Sequence, residues 1–434
     1  MMLLTALCAA MCISRGSTND DIDLFDPPFR LSAGAEWIDV DHPAPMLYDW
    51  NGDGVDDLLI GEFQRGHLHI HRGIEASGEK AFQEKYAIFH TRRGLGAVPT
   101  GCCVGFGPQV ADVNGDGFVD VVSGSLDGGV YFFAGARDGA HEEPIRLRDA
   151  SGSIIGRDDY STVALHDFDD DGHQDLLVGD YRGRVWFHRN LRGKGVPRFG
   201  LAQALRAGDG VLGVDGEAGP TIADWDGDGL ADVICGEAAG GVWFFRNVGL
   251  DGSGRPEFAA GVSLIPSLTQ EQAMAAFESR VEDREGHKVV SSGCRAKPLV
   301  ADWNGDGCLD LIVGSVHVTW GVQPDLTVED FAERDRLNER HRQVTAKYSE
   351  LEAILDARIR QKMGIDLDTE LNSEQRERWA AIGSDLWGEV DGLYETVVSI
   401  SEIETRLADY GLLQWAHGWI WVYIRKTDEQ VRSN

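Results

Sequence analysis

Asp49-Trp50-Asn51-Gly52-Asp53-Gly54-Val55-Asp56-Asp57, followed at once by Leu58-Leu59-Ile60-Gly61, is the stretch on which the fold turns. It alternates acidic or amide side chains with glycine and then enters a short apolar run. The pattern returns four times. The second copy is Asp112-Val-Asn114-Gly-Asp116-Gly-Phe118-Val-Asp120, then Val-Val-Ser-Gly. The third is Asp167-Phe-Asp169-Asp-Asp171-Gly-His173-Gln-Asp175, then Leu-Leu-Val-Gly. The fourth is Asp224-Trp-Asp226-Gly-Asp228-Gly-Leu230-Ala-Asp232, then Val-Ile-Cys-Gly, and the fifth is Asp302-Trp-Asn304-Gly-Asp306-Gly-Cys308-Leu-Asp310, then Leu-Ile-Val-Gly.

This spacing suits a hard cation. Calcium takes about six to eight oxygens at about 2.3–2.6 Å. Side-chain oxygens at positions 1, 3, 5 and 9 and a backbone carbonyl at 7 can wrap one ion, with glycine at position 6 turning the loop back on itself. The expected ligands are therefore the Asp and Asn residues numbered above other than Asp56, plus the carbonyls of Val55, Phe118, His173, Leu230 and Cys308. A helix–loop–helix calcium site needs Glu at position 12. Ile60, Ser123, Val178, Cys235 and Val313 stand there, and the β-branched runs argue strand rather than helix.

A second element recurs after each run, a glycine-led aromatic strand: Gly66-His-Leu-His-Ile, Gly129-Val-Tyr-Phe-Phe, Gly183-Arg-Val-Trp-Phe and Gly241-Val-Trp-Phe-Phe. Fourth strands are expected at Pro144-Ile-Arg-Leu, Arg198-Phe-Gly-Leu and Glu257-Phe-Ala-Ala. Successive first Asp residues lie 63, 55, 57 and 78 apart. Four strands in such a period make one propeller blade. The arrangement resembles the FG-GAP or VCBS repeat family, calcium-loop β-propellers related to the integrin α-subunit head. The resemblance covers residues 28–320 and 416–426, although Leu58-Leu-Ile-Gly-Glu62 stands where the family's "GAP" would fall. It implies the fold; it does not imply integrin-type ligand recognition.

The fifth unit is interrupted. Its aromatic strand comes about a hundred residues late, as Gly418-Trp-Ile-Trp-Val-Tyr-Ile424. Residues 325–410 between carry helical spacing at Leu337, Val344, Tyr348, Leu351, Leu355 and Ile359. A second stripe follows at Trp379, Ile382, Leu386, Val390, Leu393, Val397 and Leu407, after a capping-box-like Ser373-Glu-Gln-Arg. The expectation is an antiparallel helical hairpin inserted in the last blade, and a shorter helical insert at 268–283. Pro28-Phe-Arg-Leu-Ser-Ala33 resembles the other blade-ending segments and would complete that last blade. The expected fold is an all-β propeller of five blades, closed by an N-terminal strand.

Composition narrows the function. Asp plus Glu number 72 against 40 Lys plus Arg, a formal charge of −32. That argues against nucleic-acid binding and against adhesion to an anionic membrane. Apolar residues at 42% argue against disorder, and no run is long enough to cross a membrane. Residues 1–17 read as a signal segment, hence extracytoplasmic placement. Beyond it the cysteines are Cys102, Cys103, Cys235, Cys294 and Cys308, an odd set that gives no closed disulfide framework.

Topology puts the metal loops on one rim and the inter-blade links on the other, and loops carry function more often than strands. Seven to ten residues before each first Asp stand His42, Cys102 and Cys103, Tyr160, Glu217, and Cys294 with Arg295. The turns between second and third strands add Glu62, Asp127, Asp180 and Glu237. These form the candidate ligand face, with Cys294, His42 and Cys102–Cys103 as a conceivable metal or disulfide cluster against the simpler reading of ordinary loop residues. His67, His69 and His71 share one strand face, read as an outer polar face. No nucleophile elbow, HExxH, P-loop or dinucleotide fingerprint occurs. The expectation is a calcium-binding module, with up to five ions, for a protein or glycan ligand. The competing expectation is a glycan lyase or hydrolase on the same rim, with Glu62 and Glu237 as candidate acid and base.

Overall fold

The computed structural model describes residues 24–62, 66–75, 78–98, 107–156, 160–192, 195–268, 293–321, 328–365, 378, 382, 386, 390–409 and 413–427. The expectations for the signal segment, Cys102, Cys103, the insert at 268–283 and the cap at Ser373 lie outside these residues. The chain divides into two compact units, one of residues 1–319 with 416–434 and one of residues 320–415.

The first unit is built from small four-stranded sheets. The first is Ala44–Tyr48, Asp57–Gly61, Leu68–Ile74 and Ala81–Ile88, and the second Gly107–Ala111, Asp120–Gly124, Val130–Phe133 and Ile145–Arg146. The third is Ser161–His166, Asp175–Asp180, Val185–His188 and Gln203–Ala204, and the fourth Gly219–Ala223, Asp232–Gly236, Val242–Phe245 and Val262–Ile265. All these neighbours pair antiparallel. The fifth takes strands from both ends of the chain, in the order Cys294–Ala301, Asp310–Gly321, Leu413–Tyr423, Phe29–Arg30. Phe29 pairs with Val422 and Arg30 with Trp421, antiparallel.

Two fourth strands differ from expectation. Phe199 sits in isolated bridges to Asp149 and Asn190, and Gln203–Ala204 makes the edge instead. Glu257-Phe258 joins a separate sheet, pairing in parallel with Arg206-Ala207, and Val262–Ile265 takes its place. Both expected segments begin one turn too early because the connection inserts a hairpin of its own before returning to the sheet edge.

The apolar runs bury both faces, which is why they are continuous rather than alternating. Leu59 packs with Val110, Val121 and Phe133 of the second sheet. Its neighbours Leu58 and Ile60 point the other way, to Ile312, Ile420 and Val422 of the fifth. Val122 and Phe132 pack with Val163, Leu176 and Val178 of the third. Leu177 and Phe187 pack with Val233 and Phe245 of the fourth. Ile234 and Val242 pack with Leu311, Val313 and Trp421 of the fifth. Each consecutive pair of sheets, the fifth and first included, thus shares one core. The glycine ending four of the five runs is required by close approach. A Cβ on Gly236 would strike the carbonyl of Ala296, and those of Gly124, Gly179 and Gly314 would strike Ser161, Ala218 and Pro43 of the following link.

The second unit holds helix α1, Val328–Met363, and helix α2, Leu393–Asp409. Its core is Leu355, Ile359, Leu386, Val390 and Leu393, with Tyr348, Leu351, Met363 and Ile382 against it. The second apolar stripe is not one helix up to Leu407. It breaks at Asp391-Gly392, where Gly392 takes φ 83°, and α2 restarts at Leu393.

Candidate functional site

In each acidic loop the first Asp gathers the loop's own amides. Asp49 Oδ1 accepts from Gly52 N at 2.8 Å and Asp53 N at 3.1 Å, and Oδ2 from Gly54 N at 2.8 Å. Asp112 and Asp302 accept the same three bonds. The fifth-position Asp accepts from the seventh-position N–H in all five loops, at 2.8–3.0 Å. Position 4 is left-handed in each: Gly52, Gly115, Gly227 and Gly305 at φ 71–76°, and Asp170 at 55° in the one loop without a glycine there. A left-handed residue with a side chain costs roughly 1–2 kcal/mol, so the shape is held by the remaining loop bonds.

The ninth-position Asp is buried in every loop, at 0–1% exposure. It ties the loop's start to the end of the third strand. Asp232 accepts from Trp225 N at 2.9 Å and Asn247 N at 2.7 Å, and Asp310 from Trp303 N at 2.9 Å and Arg425 N at 2.7 Å. In the first loop Arg72 Nη1 also reaches Asp57 Oδ2 at 2.5 Å. Burial pushes Asp120 up to about 6 and Asp175 up to about 7, and raises Asp232 and Asp310. A cation in the loop would supply the charge that burial disfavours. The donor set fits one. Single oxygens of Asp167, Asp169 and Asp171 lie within 4.8 Å of one another, as do those of Asp224, Asp226 and Asp232. Asp169 Oδ1 is buried without a hydrogen-bond partner among the described residues. In that third loop Arg189 Nη2 stands 2.9 Å from Asp169 and Arg192 Nη2 3.1 Å from Asp171, cations that a metal ion would have to displace or share with.

The links entering the first strands converge elsewhere. His42, Tyr160, Glu217 and Arg295 each stand seven residues before a loop's first Asp. They line one cavity of about 50 Å³ together with Ala44, Gly107, Thr162 and Lys297. These last four stand five residues before, so a period of two puts both positions on the same strand face. Three of the linking residues hold left-handed backbone: His42 at φ 49°, Glu217 at 44° and Arg295 at 59°. Strain of this kind gathers where the surrounding structure imposes it. Arg295 ties the links together, with Nη2 3.0 Å from Glu217 Oε1 and Nη1 3.1 Å from His42 Nε2. Arginine can only donate, so His42 Nε2 accepts and its Nδ1–H donates to Asp41 Oδ1 at 2.7 Å. Burial first, and then Arg295, lowers the His42 pKa, which agrees with that neutral tautomer.

Three polar atoms of this cavity are buried without a hydrogen-bond partner among the described residues: Tyr160 Oη, Glu217 Oε2 and Lys297 Nζ. Lys297 Nζ lies 5.2 Å from the Tyr160 ring centre. Burial, reinforced by Arg295, brings Lys297 down to about 8. Burial, then Glu217, raises Tyr160 well above its ordinary value. Lys297 stands five residues before Asp302, nearer the loop than the seven-to-ten-residue offset of the expected face; strand alternation from Arg295 points to it.

The turn acids lie outside this cavity. Each serves an aromatic or imidazole ring of its own third strand. Asp180 accepts from Trp186 Nε1 at 2.8 Å and Glu237 from Trp243 Nε1 at 2.9 Å. Asp127 accepts from Tyr131 Oη at 2.7 Å, and Glu62 Oε2 stands 3.1 Å from His69 Nε2. His69 and His71 are buried, not on an outer face: His69 stacks on Tyr86 at 4.4 Å, and His71 Nδ1 donates to the Gln83 carbonyl at 3.0 Å. Cys294 does not join His42; its thiol contacts the Val316 carbonyl at 3.5 Å. Cys235 and Cys308 are free thiols, and no histidine–cysteine metal cluster forms among the described residues.

Repeated small antiparallel sheets, each carrying an acidic loop between its first two strands, define an all-β repeat protein. Residues 112–178 and 167–235 match the FG-GAP-like repeat in two overlapping copies. Within residues 112–235 the chain thus carries FG-GAP-like repeats. Integrin alpha-4 of Xenopus laevis is 28% identical over 195 residues, covering 39% of this chain and 19% of that protein. The chain therefore aligns with about a fifth of that relative. Among solved structures, one on recognition of non-reducing terminal N-acetylglucosamine by an Agrocybe aegerita lectin is 20% identical, covers 64% of this chain and 63% of that one, and superposes with a TM-score of 0.34. No described helix is long and apolar enough to cross a membrane.

Proposed function

We propose that the chain is an extracytoplasmic, calcium-stabilised five-bladed propeller that binds a protein or glycan ligand at the cavity between His42, Tyr160, Glu217, Arg295 and Lys297. The observation that carries this reading is the set of three buried, unpartnered polar atoms in one cavity. Leaving such groups unmade costs about 1–3 kcal/mol each. A ligand that pairs them recovers that cost, which is how a binding site differs from a packed core.

The five cores between successive sheets support the ring, and the strand from residues 29–30 supports its closure. The acidic clusters support calcium. The ligands would be the side chains at positions 1, 3, 5 and 9 with the carbonyls of Val55, Phe118, His173, Leu230 and Cys308; the ion would fix each loop and neutralise its acids. Extracellular calcium sites of about 10⁻⁴–10⁻³ M affinity fit placement outside the cytoplasm. A paired-carboxylate hydrolase has less support, because Glu217 is the one carboxylate among the described lining residues, and Glu62 and Glu237 are bonded elsewhere.

The test is ligand capture on glycan and peptide arrays by wild type and Arg295→Ala, each with calcium or chelator. Ligands lost with Arg295→Ala while the variant stays folded support the cavity. Ligands retained in full by that variant place binding elsewhere.

A further inference from the structure

We infer that the cavity recognises the acidic edge of a terminal uronic-acid sugar: a carboxylate with a hydroxyl beside it. This rests on the binding reading above and names its ligand. Three observations lead to it: the cavity's charge, its unpaired atoms and its size.

The charge runs against the whole molecule. The chain carries −32, yet among the described lining residues Arg295 and Lys297 stand against the one carboxylate of Glu217. Arg295 already pairs with Glu217, so Lys297 is the excess charge. An anion entering the cavity neutralises it. Because the chain as a whole carries −32, a diffuse polyanion would be repelled, and a single carboxylate inserted end-on would not.

The unpaired atoms are of both kinds. The Lys297 ammonium and the Tyr160 hydroxyl can donate; Glu217 Oε2 can only accept. A bare anion, such as chloride or an acetate-like carboxylate, satisfies the first two and leaves the third buried and unmet. The ligand must therefore carry an acceptor pair and a donor on adjacent atoms. A hexuronic acid has this edge: its carboxylate sits on C5 and its O4 hydroxyl on the next ring carbon. The carboxylate oxygens would accept from Lys297 and Tyr160, and O4–H would donate to Glu217.

The size agrees. A cavity of about 50 Å³ holds some three to five water-sized groups, at roughly 10–15 Å³ each. That is room for a carboxylate and one hydroxyl, not for a whole sugar ring. In a 1→4-linked uronan a free O4 is available only on the non-reducing end, so on such chains the cavity selects terminal residues.

The experiment is calorimetric titration of the full chain, in calcium, with galacturonic acid, its methyl ester, galactose, and an Asp-containing tripeptide. Wild type should bind galacturonic acid at least 10-fold more tightly than the ester or galactose. Lys297→Met keeps the aliphatic stem and should lose at least 10-fold in affinity for galacturonic acid with little fall in melting temperature, since among the described residues its ammonium makes no hydrogen bond and gives up only its 5.2 Å contact with the Tyr160 ring. Glu217→Gln presents an amide that can turn its oxygen to the hydroxyl, and should lose less. Equal binding of galactose and galacturonic acid overturns the proposal, as does full binding by folded Lys297→Met. If the tripeptide binds instead and Lys297→Met abolishes it, the sugar is wrong and the binding cavity stands. If no probe that binds depends on Lys297 or Arg295, the cavity reading falls with it.

Discussion

The acidic loops and the cavity lined by His42, Tyr160, Glu217 and Arg295 are built at fixed offsets on the same repeated unit, and they have diverged in opposite ways. At positions 1, 5 and 9 of the loops every copy keeps Asp. Seven residues upstream the copies read His42, Tyr160, Glu217 and Arg295, four chemistries from one structural position. The loops solve the same local problem five times, which is how to satisfy their own amides and tether the third strand. The cavity residues solve one problem together, so each copy contributes something different. In a repeat fold, sameness marks scaffold and difference marks where the copies meet a common partner.

The largest effect that would break this contrast is in the loops. Asp232→Ala strands the Trp225 and Asn247 amides in a buried position. Each orphaned group costs about 1–3 kcal/mol, so urea unfolding should show a loss of about 3–5 kcal/mol. A loss under 1 kcal/mol would mean that the ninth Asp is not structural. Calcium should act on the same loops. At 100-fold excess over its dissociation constant an ion adds about 2.7 kcal/mol per site, and chelator should lower the melting temperature accordingly. No shift would sink the metal reading for every loop.

Next is the ion pair of the cavity. Glu217→Ala leaves Arg295 facing a vacated partner, and breaking a buried pair on one side costs about 3 kcal/mol or somewhat more, softened here by the remaining His42 contact. Gly236→Ala pushes a methyl into the Ala296 carbonyl, with an expected loss of about 1–3 kcal/mol in the same assay. The smallest effect is on Lys297. Its pKa falls from 10.5 to about 8 on folding, so the unfolded chain binds more protons between these values. Stability from this group is lowest below pH 8 and rises as pH climbs from about 8 to about 10.5. Relative to Lys297→Met, the wild type should close its stability gap across that window. A gap that widens would show the ammonium to be paired.

Much of the fold was legible because the loop motif is local. The spacing of Asp49 to Gly61 dictates turn, strand and burial without reference to anything distant. The closing strand at Phe29–Arg30 was legible too, by likeness to other segments rather than by any local signal. The fourth strands at Gln203–Ala204 and Val262–Ile265 were not, because edge strands of two to four residues are chosen by the sheet they join and carry little pattern of their own. The burial of His69 and His71 was hidden for a similar reason: alternation says that they share a face, and only packing against Tyr86 and Glu62 says which. Lys297 was legible in principle from Arg295 by period two, but its meaning depends on three other links, hundreds of residues apart in sequence.

The pairing of Phe29 with Val422 has a consequence for how the chain is made. During synthesis at about 5–20 residues per second, Phe29 leaves the ribosome roughly 20–80 seconds before its partner exists. Four sheets can form on the way, each from strands close in sequence. The fifth cannot, and the faces of Leu58 and Ile60 stay open to water until the last strand emerges. The nascent protein therefore passes through a long-lived intermediate whose first sheet keeps one apolar face uncovered, and that interval is when it most needs a chaperone.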